Sequence, residues 1–134
     1  MLAGEEMLRT KQGDSNSYKS SDDINNIDWE VLTEGSKEKA LSDFYKALIE
    51  LRKANEFIRY SDVTATIQGN NIIDVVYKMD GEEVGRAIIN PYAEAKNYQL
   101  NGSYKLLFDG ENIVSEGESV TSIPAKSVVL LKKV

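Results

Sequence analysis

Ile72-Ile73-Asp74-Val75-Val76-Tyr77-Lys78-Met79-Asp80-Gly81-Glu82-Glu83-Val84-Gly85-Arg86-Ala87-Ile88-Ile89-Asn90 sets two apolar, β-branched runs on either side of an Asp-Gly pair. Asp and Gly tolerate the positive φ of a two-residue hairpin loop, so residues 72–79 and 83–90 are expected to pair antiparallel. Further short runs at 64–68, 104–109 and 127–132 alternate in the same way, separated by Gly69-Asn70-Asn71, Asn101-Gly102 and Asp109-Gly110. Pro91 and Pro124 sit at run edges, where a missing N–H does least harm. Residues 61–134 therefore read as a small antiparallel β-sandwich.

Upstream of Tyr60 the period changes. Leu41, Phe44, Tyr45, Leu48 and Leu51 recur at steps of three and four, one face of an amphipathic helix. Ser36 suits its cap and Asn55 its end. Lys37, Glu38, Asp43, Lys46, Glu50 and Lys53 occupy the other side, so the apolar stripe must lie against a partner layer. Residues 1–35 are polar and rich in turn formers, as in Arg9-Thr10-Lys11-Gln12-Gly13-Asp14-Ser15-Asn16-Ser17-Tyr18. A loop this long, when ordered, is usually functional. Ile24, Ile27 and Trp29 are expected to rest on something apolar, which argues against a floppy tail. A striped helix after such a loop reads as the end of something larger, with the missing layer upstream. The chain thus divides into residues 1–60 and residues 61–134, and its expected class is mainly β.

Composition narrows the chemistry. With 134 residues the chain is too short for a multidomain enzyme, and 41% hydrophobic with 28% charged residues is ordinary globular usage. The net charge of -6 disfavours a nucleic-acid surface. Lacking Cys and His, the chain has no disulfide, thiol nucleophile, Ser-His pair or soft zinc ligand. No apolar run reaches the roughly 20 residues of a membrane helix. Met1-Leu2-Ala3 runs straight into Gly4-Glu5-Glu6 rather than a signal core, which points to the cytoplasm.

Carboxylates remain. Paired acids carry out glycoside hydrolysis, and Glu5-Glu6 and Asp22-Asp23 qualify by type, although neighbouring acids in a chain are more often a solvated surface pair. Asp14, Asp22, Asp23 and Asp28 offer the oxygen chemistry of a calcium site without the spacing of an EF-hand loop. No other cofactor is expected. Asn101-Gly102-Ser103 has the form of a glycosylation acceptor, but reads as a turn. Trp29 would stack on a sugar or, more commonly, anchor its loop on a neighbouring element.

Taken together, Ala3-Gly4-Glu5-Glu6-Met7-Leu8-Arg9-Thr10-Lys11, Asn16-Ser17-Tyr18, Ser21-Asp22, Ile24-Asn25 and Ile27-Asp28-Trp29 resemble type I pullulanases, starch-debranching members of the α-amylase superfamily. Tyr45, Leu48, Ile49 and Leu51-Arg52-Lys53-Ala54 continue the resemblance along the helix. In residues 61–134 it is one of pattern, in Tyr104-Lys105-Leu106-Leu107-Phe108-Asp109-Gly110, Ile123-Pro124-Ala125 and Ser127-Val128-Val129-Leu130-Leu131.

The resemblance implies the last βα unit of a (β/α)₈ barrel, with its active-site loop, followed by a C-terminal β-sandwich. It implies an α-glucan partner (pullulan, branched starch or glycogen) and an upstream catalytic barrel. It also places the family's three catalytic carboxylates upstream of Met1, so this chain alone should be inactive. Glu6, with Gly4, matches a Gly-x-Glu at the eighth strand end and is not assigned a catalytic role. Asp22 falls where the family binds glucose units, and the basic residue often found four positions on is Asn26 here. Arg9, Asn16 and Tyr18 match the same loop and are further candidates for substrate binding. Two other classes stand beside this reading: a non-catalytic carbohydrate-binding module, for which Tyr77, Tyr92, Tyr98, Tyr104 and Phe108 are the available rings, and a homo-oligomerisation unit built on the helix stripe.

Overall fold

The computed structural model describes residues 3–69, 71–114 and 121–134. Asn70, the middle of one expected turn, lies outside them. The chain divides into two compact units, Met1–Glu50 and Leu51–Val134, and the dividing point falls inside the long helix.

In the first unit, 3-10 turns at Glu5–Met7, Lys11–Gly13, Ser17–Lys19 and Trp29–Val31 surround one short helix, α1 (Asp22–Asn25). Its only buried apolar side chain among the described residues is Met7. Trp29 is 63% exposed, so within this chain it does not anchor the loop as expected. Ile24 and Ile27 are half-buried.

Helix α2 (Lys37–Ala54) forms where the periodicity places it. Ser36 Oγ accepts from Lys39 N–H at 3.1 Å, satisfying a first-turn donor. At the far end Asn55 Nδ2 donates to the Leu51 carbonyl at 2.9 Å, and Arg52 and Lys53 sit where the helix dipole favours cations. No residue of α2 is buried. Leu41, Tyr45, Leu48 and Leu51 are half-covered and Phe44 is exposed. No helix among the described residues is long and apolar enough to cross a membrane.

The second unit is a five-stranded antiparallel sheet in the order β1-β2-β3-β7-β5, with β1 Asp62–Ile67, β2 Ile73–Met79, β3 Glu82–Asn90, β5 Tyr104–Phe108 and β7 Ser127–Lys133. The chain is thus mixed, a long helix followed by an antiparallel sheet, rather than mainly β. Met79 pairs with Glu82, leaving Asp80 (φ 53°) and Gly81 (φ 83°) as the two-residue loop the sequence predicts. Asp109-Gly110 also turns: Asp109 Oδ1 accepts from the backbone N–H groups of Glu111 and Asn112. Asn101-Gly102 makes a bend ahead of β5 rather than a hairpin, because β5 pairs with β7.

A two-stranded ribbon, β4 (Lys96–Asn97) with β6 (Ser122–Ile123), was not legible as alternation because each strand has only two residues. Ile123 of the ribbon and Tyr98, which follows β4, join a core with Ile72, Ile88, Tyr104, Leu106, Val129 and Leu131. Fully burying a side chain such as Ile88 is worth roughly 1.5–3 kcal/mol. Asn90 fastens ribbon to sheet, its amide donating to the Glu94, Ile123 and Pro124 carbonyls while Oδ1 accepts from Tyr92 N–H.

Across the sheet, helix α3 (Phe57–Tyr60) inserts Phe57 edge-on to Tyr77, centroids 5.4 Å apart. Gly85 makes room for that ring, since a Cβ there would lie 2.6 Å from Phe57 Cε2 and 2.7 Å from the Leu131 carbonyl oxygen. Of the rings proposed as a binding platform, Tyr98, Tyr104 and Phe108 are buried, Tyr77 is half-buried and Tyr92 is exposed. Packing accounts for most of them.

The core face also carries an ionic network. Arg86 grips Glu83 with two hydrogen bonds of 2.8 Å and Asp74 Oδ2 with one of 2.7 Å. Tyr98 and Tyr104 donate their hydroxyls to Asp74 and Glu83 respectively. The Arg86 hydrogen bonds, aided by Tyr104, overcome burial and hold the Glu83 carboxyl down at about 2. Burial pushes the Tyr98 hydroxyl up to about 12, with Asp74 adding to the rise.

Candidate functional site

The candidate site is built by the loop of residues 3–31, and its shape begins at Gly4. Gly4 adopts φ 94°, and an added Cβ would meet Arg9 Cδ at 2.6 Å. Glycine is thus required twice, for backbone sign and for the side chain folded over it. Its carbonyl accepts from Met7 and Arg9 N–H, and its N–H donates to Glu6 Oε2 at 3.1 Å. Glu6 is thereby occupied as a local clasp.

Leu8, Lys11 and Gln12 also have positive φ, uncommon for residues with a Cβ. Side-chain hydrogen bonds hold the loop around them. Arg9 donates to the carbonyls of Ala3, Ile24 and Asn25, joining the start of the loop to the last turn of α1. Asn25 Nδ2 bonds the Ser17 and Ser20 carbonyls, and Lys11 Nζ reaches Ser17 Oγ at 2.7 Å. Asp14 accepts from Ser20 Oγ and from Asn16 N–H, and these bonds hold its carboxyl below the usual range.

This bracing divides the sequence-predicted residues. Arg9 is committed to backbone carbonyls, so it positions the loop. Asn16 and Tyr18 are exposed, Tyr18 at 86%, and with Arg9 they line a concavity of ≈ 680 Å³ shared with Asp14, Ser15 and Asn25. Asn26 lines a second hollow of ≈ 260 Å³, which Arg9 also borders. Asp22 lines neither, but it opens α1 and its carbonyl accepts from Asn26 N–H at 2.7 Å, which fixes the two positions one helical turn apart. Both side chains are exposed and make no hydrogen bond among the described residues.

Lys11, Ser17 and Asn25 were not singled out as site-forming from sequence, and Asp14 only as one acid of a calcium set. The Asp14-x-Asn16 spacing of an Asx turn was the available signal. The acids do not form a calcium cage: Asp14 is used by Ser20 and Asn16, Asp28 caps Glu30 N–H, and among the described residues no three acids converge. What the loop offers is an open, polar surface of hydroxyl, amide and carboxylate groups beside an exposed Tyr, whose chemistry matches hydroxyl-rich ligands.

No family model matches the chain. Over 57 residues it is 47% identical to the pullulanase of Bacillus subtilis (strain 168), a match covering 42% of this chain and 8% of that protein. Its fold matches pullulanase from Bacillus acidopullulyticus with a TM-score of 0.75 at 25% identity, over 99% of this chain and 18% of that one. The chain spans only a small part of the proteins it matches.

Proposed function

Because this chain is homologous to pullulanase, we propose that it corresponds to the C-terminal portion of a debranching enzyme that hydrolyses α-1,6-glucosidic bonds in pullulan, branched starch or glycogen. In this reading residues 1–60 are the strand end, active-site loop and final helix of the catalytic barrel, and residues 61–134 are its C-terminal β-sandwich. The observation that carries the reading is the structural likeness over 99% of the chain, a span that takes in loop, helix and sheet. An 18-residue helix with an apolar stripe and no buried residue supports it, since such a stripe calls for a covering layer.

The paired carboxylates that cleave the bond belong to the barrel, one as acid and one as nucleophile. This chain supplies a wall of the cleft. Asp22 accepts hydrogen bonds from glucose hydroxyls, Asn26 donates to or accepts from the next, and Tyr18 and Asn16 border the sugar while Arg9 keeps the loop in shape. Without a cation at position 26, the Asp22 carboxylate is left free to take two hydroxyls.

The test is pullulan hydrolysis, read as new reducing ends, by the purified chain alone and then mixed with a separately expressed pullulanase-like chain ending where this one begins. No turnover alone and turnover on mixing is the expected result. Turnover by the chain alone would overturn the assignment of the catalytic groups to the barrel.

A further inference from the structure

The five-stranded sheet ends in two edge strands, β1 and β5, and the chain treats them differently. β5 carries the exposed Lys105 and a bulge between Leu106 and Phe108, and Phe108 bridges Ile113. Charge, bulges and covering segments are the usual guards against a further strand. β1 has none of them. Val63-Thr64-Ala65-Thr66-Ile67 is uncharged, free of Pro and rich in β-branched residues, and it pairs with β2 in unbroken register. All six residues of β1 are exposed, Val63 at 57% and Ile67 at 73%.

The ladder fixes which backbone groups face outward. Gln68 N–H donates to the Ile72 carbonyl at 2.9 Å, and the same register runs on from Ile67 opposite Ile73 to Asp62 opposite Lys78. Hydrogen-bonded pairs alternate along an antiparallel ladder, so Thr66, Thr64 and Asp62 bond β2, and the N–H and C=O groups of Val63, Ala65 and Ile67 point to the open edge. Among the described residues these groups meet no partner.

A second copy of the same edge satisfies them. With a two-fold axis at Ala65, Ala65 lies opposite its own copy and Val63 opposite Ile67 of the other chain, and each such pair exchanges two hydrogen bonds. On that face Val63 meets Ile67, extending the half-buried row of Ile73, Val75 and Tyr77 on β2. On the opposite face Thr64 meets Thr66 and Asp62 meets Gln68, so no like charges are opposed.

We propose that β1 is a homodimerisation edge, joining two copies of this chain into one continuous antiparallel sheet through residues 62–68. The apolar stripe of α2 takes no part in it. The seam is short beside the about 20–30 residues a side of a standard interface, so the dimer is transient, with Kd on the order of 0.1 mM.

Sedimentation equilibrium of the full chain from about 10 µM to about 1 mM tests this. The apparent mass should climb from 15.0 kDa toward twice that value. Ala65→Lys sets two ammonium groups face to face at an exposed position, so it should keep the native fold and weaken dimerisation about tenfold, and mixing it with Ala65→Glu should restore association. Because the chain has no Cys, Ala65→Cys tests the register. Opposed Cα atoms about 5.5 Å apart accept a disulfide, whereas Thr64→Cys meets its own copy only on the diagonal, at about 7–8 Å. Cross-linking at 65 and not at 64 is expected in a glutathione redox buffer. A monomer at every concentration would overturn the proposal and leave the edge to a different chain. A dimer that Ala65→Lys does not weaken, or that cross-links equally at both positions, would overturn it in favour of another surface such as the α2 stripe.

Discussion

The loop of residues 3–31 and the five-stranded sheet are held in shape by opposite means. The loop buries one apolar side chain and is held by hydrogen bonds from Arg9, Lys11, Asp14 and Asn25. The sheet closes over eight core residues and ties Asp74, Glu83, Tyr98 and Tyr104 into a network around Arg86. A core makes a unit that stands by itself, whereas a braced loop keeps its polar side chains outward and available. On the function proposed above, the difference marks which region keeps the fold and which faces the glucan.

The sharpest way to break the contrast is Arg86→Ala. It leaves Asp74 buried without its cation, and loss of one partner of a buried pair costs about 3–5 kcal/mol. The unfolding free energy of the sheet unit in urea should fall by that amount, while hydrogen exchange in residues 3–31 stays unchanged. A midpoint that barely moves would show that the network contributes little and the apolar core suffices. Gly85→Ala is expected next, at about 2 kcal/mol, because neither the Phe57 ring nor the Leu131 carbonyl can yield to a methyl group. The companion variant Gly85→Ala with Phe57→Leu should recover part of the loss if the clash is with the ring.

Acid sharpens the same comparison. The Glu83 carboxyl is held at about 2 in the fold, below its value of 4.5 when free, so its contribution is complete above about pH 5 and is lost as pH falls toward 2. The loss is on the order of 2 kcal/mol. Denaturant unfolding at pH 5.5 and pH 3 should show that extra loss in the natural chain, and Glu83→Gln should remove it. An equal slope in both proteins would assign the acid sensitivity to other carboxylates. At the alkaline end the sign reverses: Tyr98 is held neutral up to about 12, so the sheet should lose stability as pH rises from 10 toward 12.

Legibility from sequence follows the same division. The hairpin around Asp80-Gly81 was readable because alternation, β-branching and turn chemistry agree within one short stretch, and α2 because its stripe repeats over several turns. The ribbon was not, since two residues cannot display a period, and the Asn90 side chain that ties it to the sheet reaches across the chain to Ile123 and Pro124. Asp74 and Arg86 interrupt apolar runs, but nothing local says that they meet. In the loop, resemblance to a family pointed to Arg9, Asn16, Tyr18, Asp22 and Asn26 together, and only coordinates separate the brace from the surface residues. Trp29 misled because a large ring favours burial, yet here it is 63% exposed, and on the function proposed above the layer that would cover it is the barrel.

The smallest effects on stability carry the most information about the loop. Arg9→Ala removes three hydrogen bonds to carbonyls, so protection from hydrogen exchange should drop across residues 3–26 without shifting the unfolding midpoint of the sheet. Tyr18→Ala removes a side chain that is 86% exposed and should change stability by less than about 0.5 kcal/mol. If mixing restores pullulan hydrolysis as proposed, the two variants should part company there. Tyr18→Ala is expected to raise KM for pullulan about tenfold with kcat little changed, the mark of a contact made equally in ground and transition states. Arg9→Ala should lower kcat and raise KM together, because a loose wall misplaces every group on it, and Arg9→Lys should restore little, since an ammonium cannot span three carbonyls as the planar guanidinium does. If Tyr18→Ala instead loosened the loop as Arg9→Ala does, the line drawn between bracing and binding residues would fall, and with it the assignment of the open concavity to sugar.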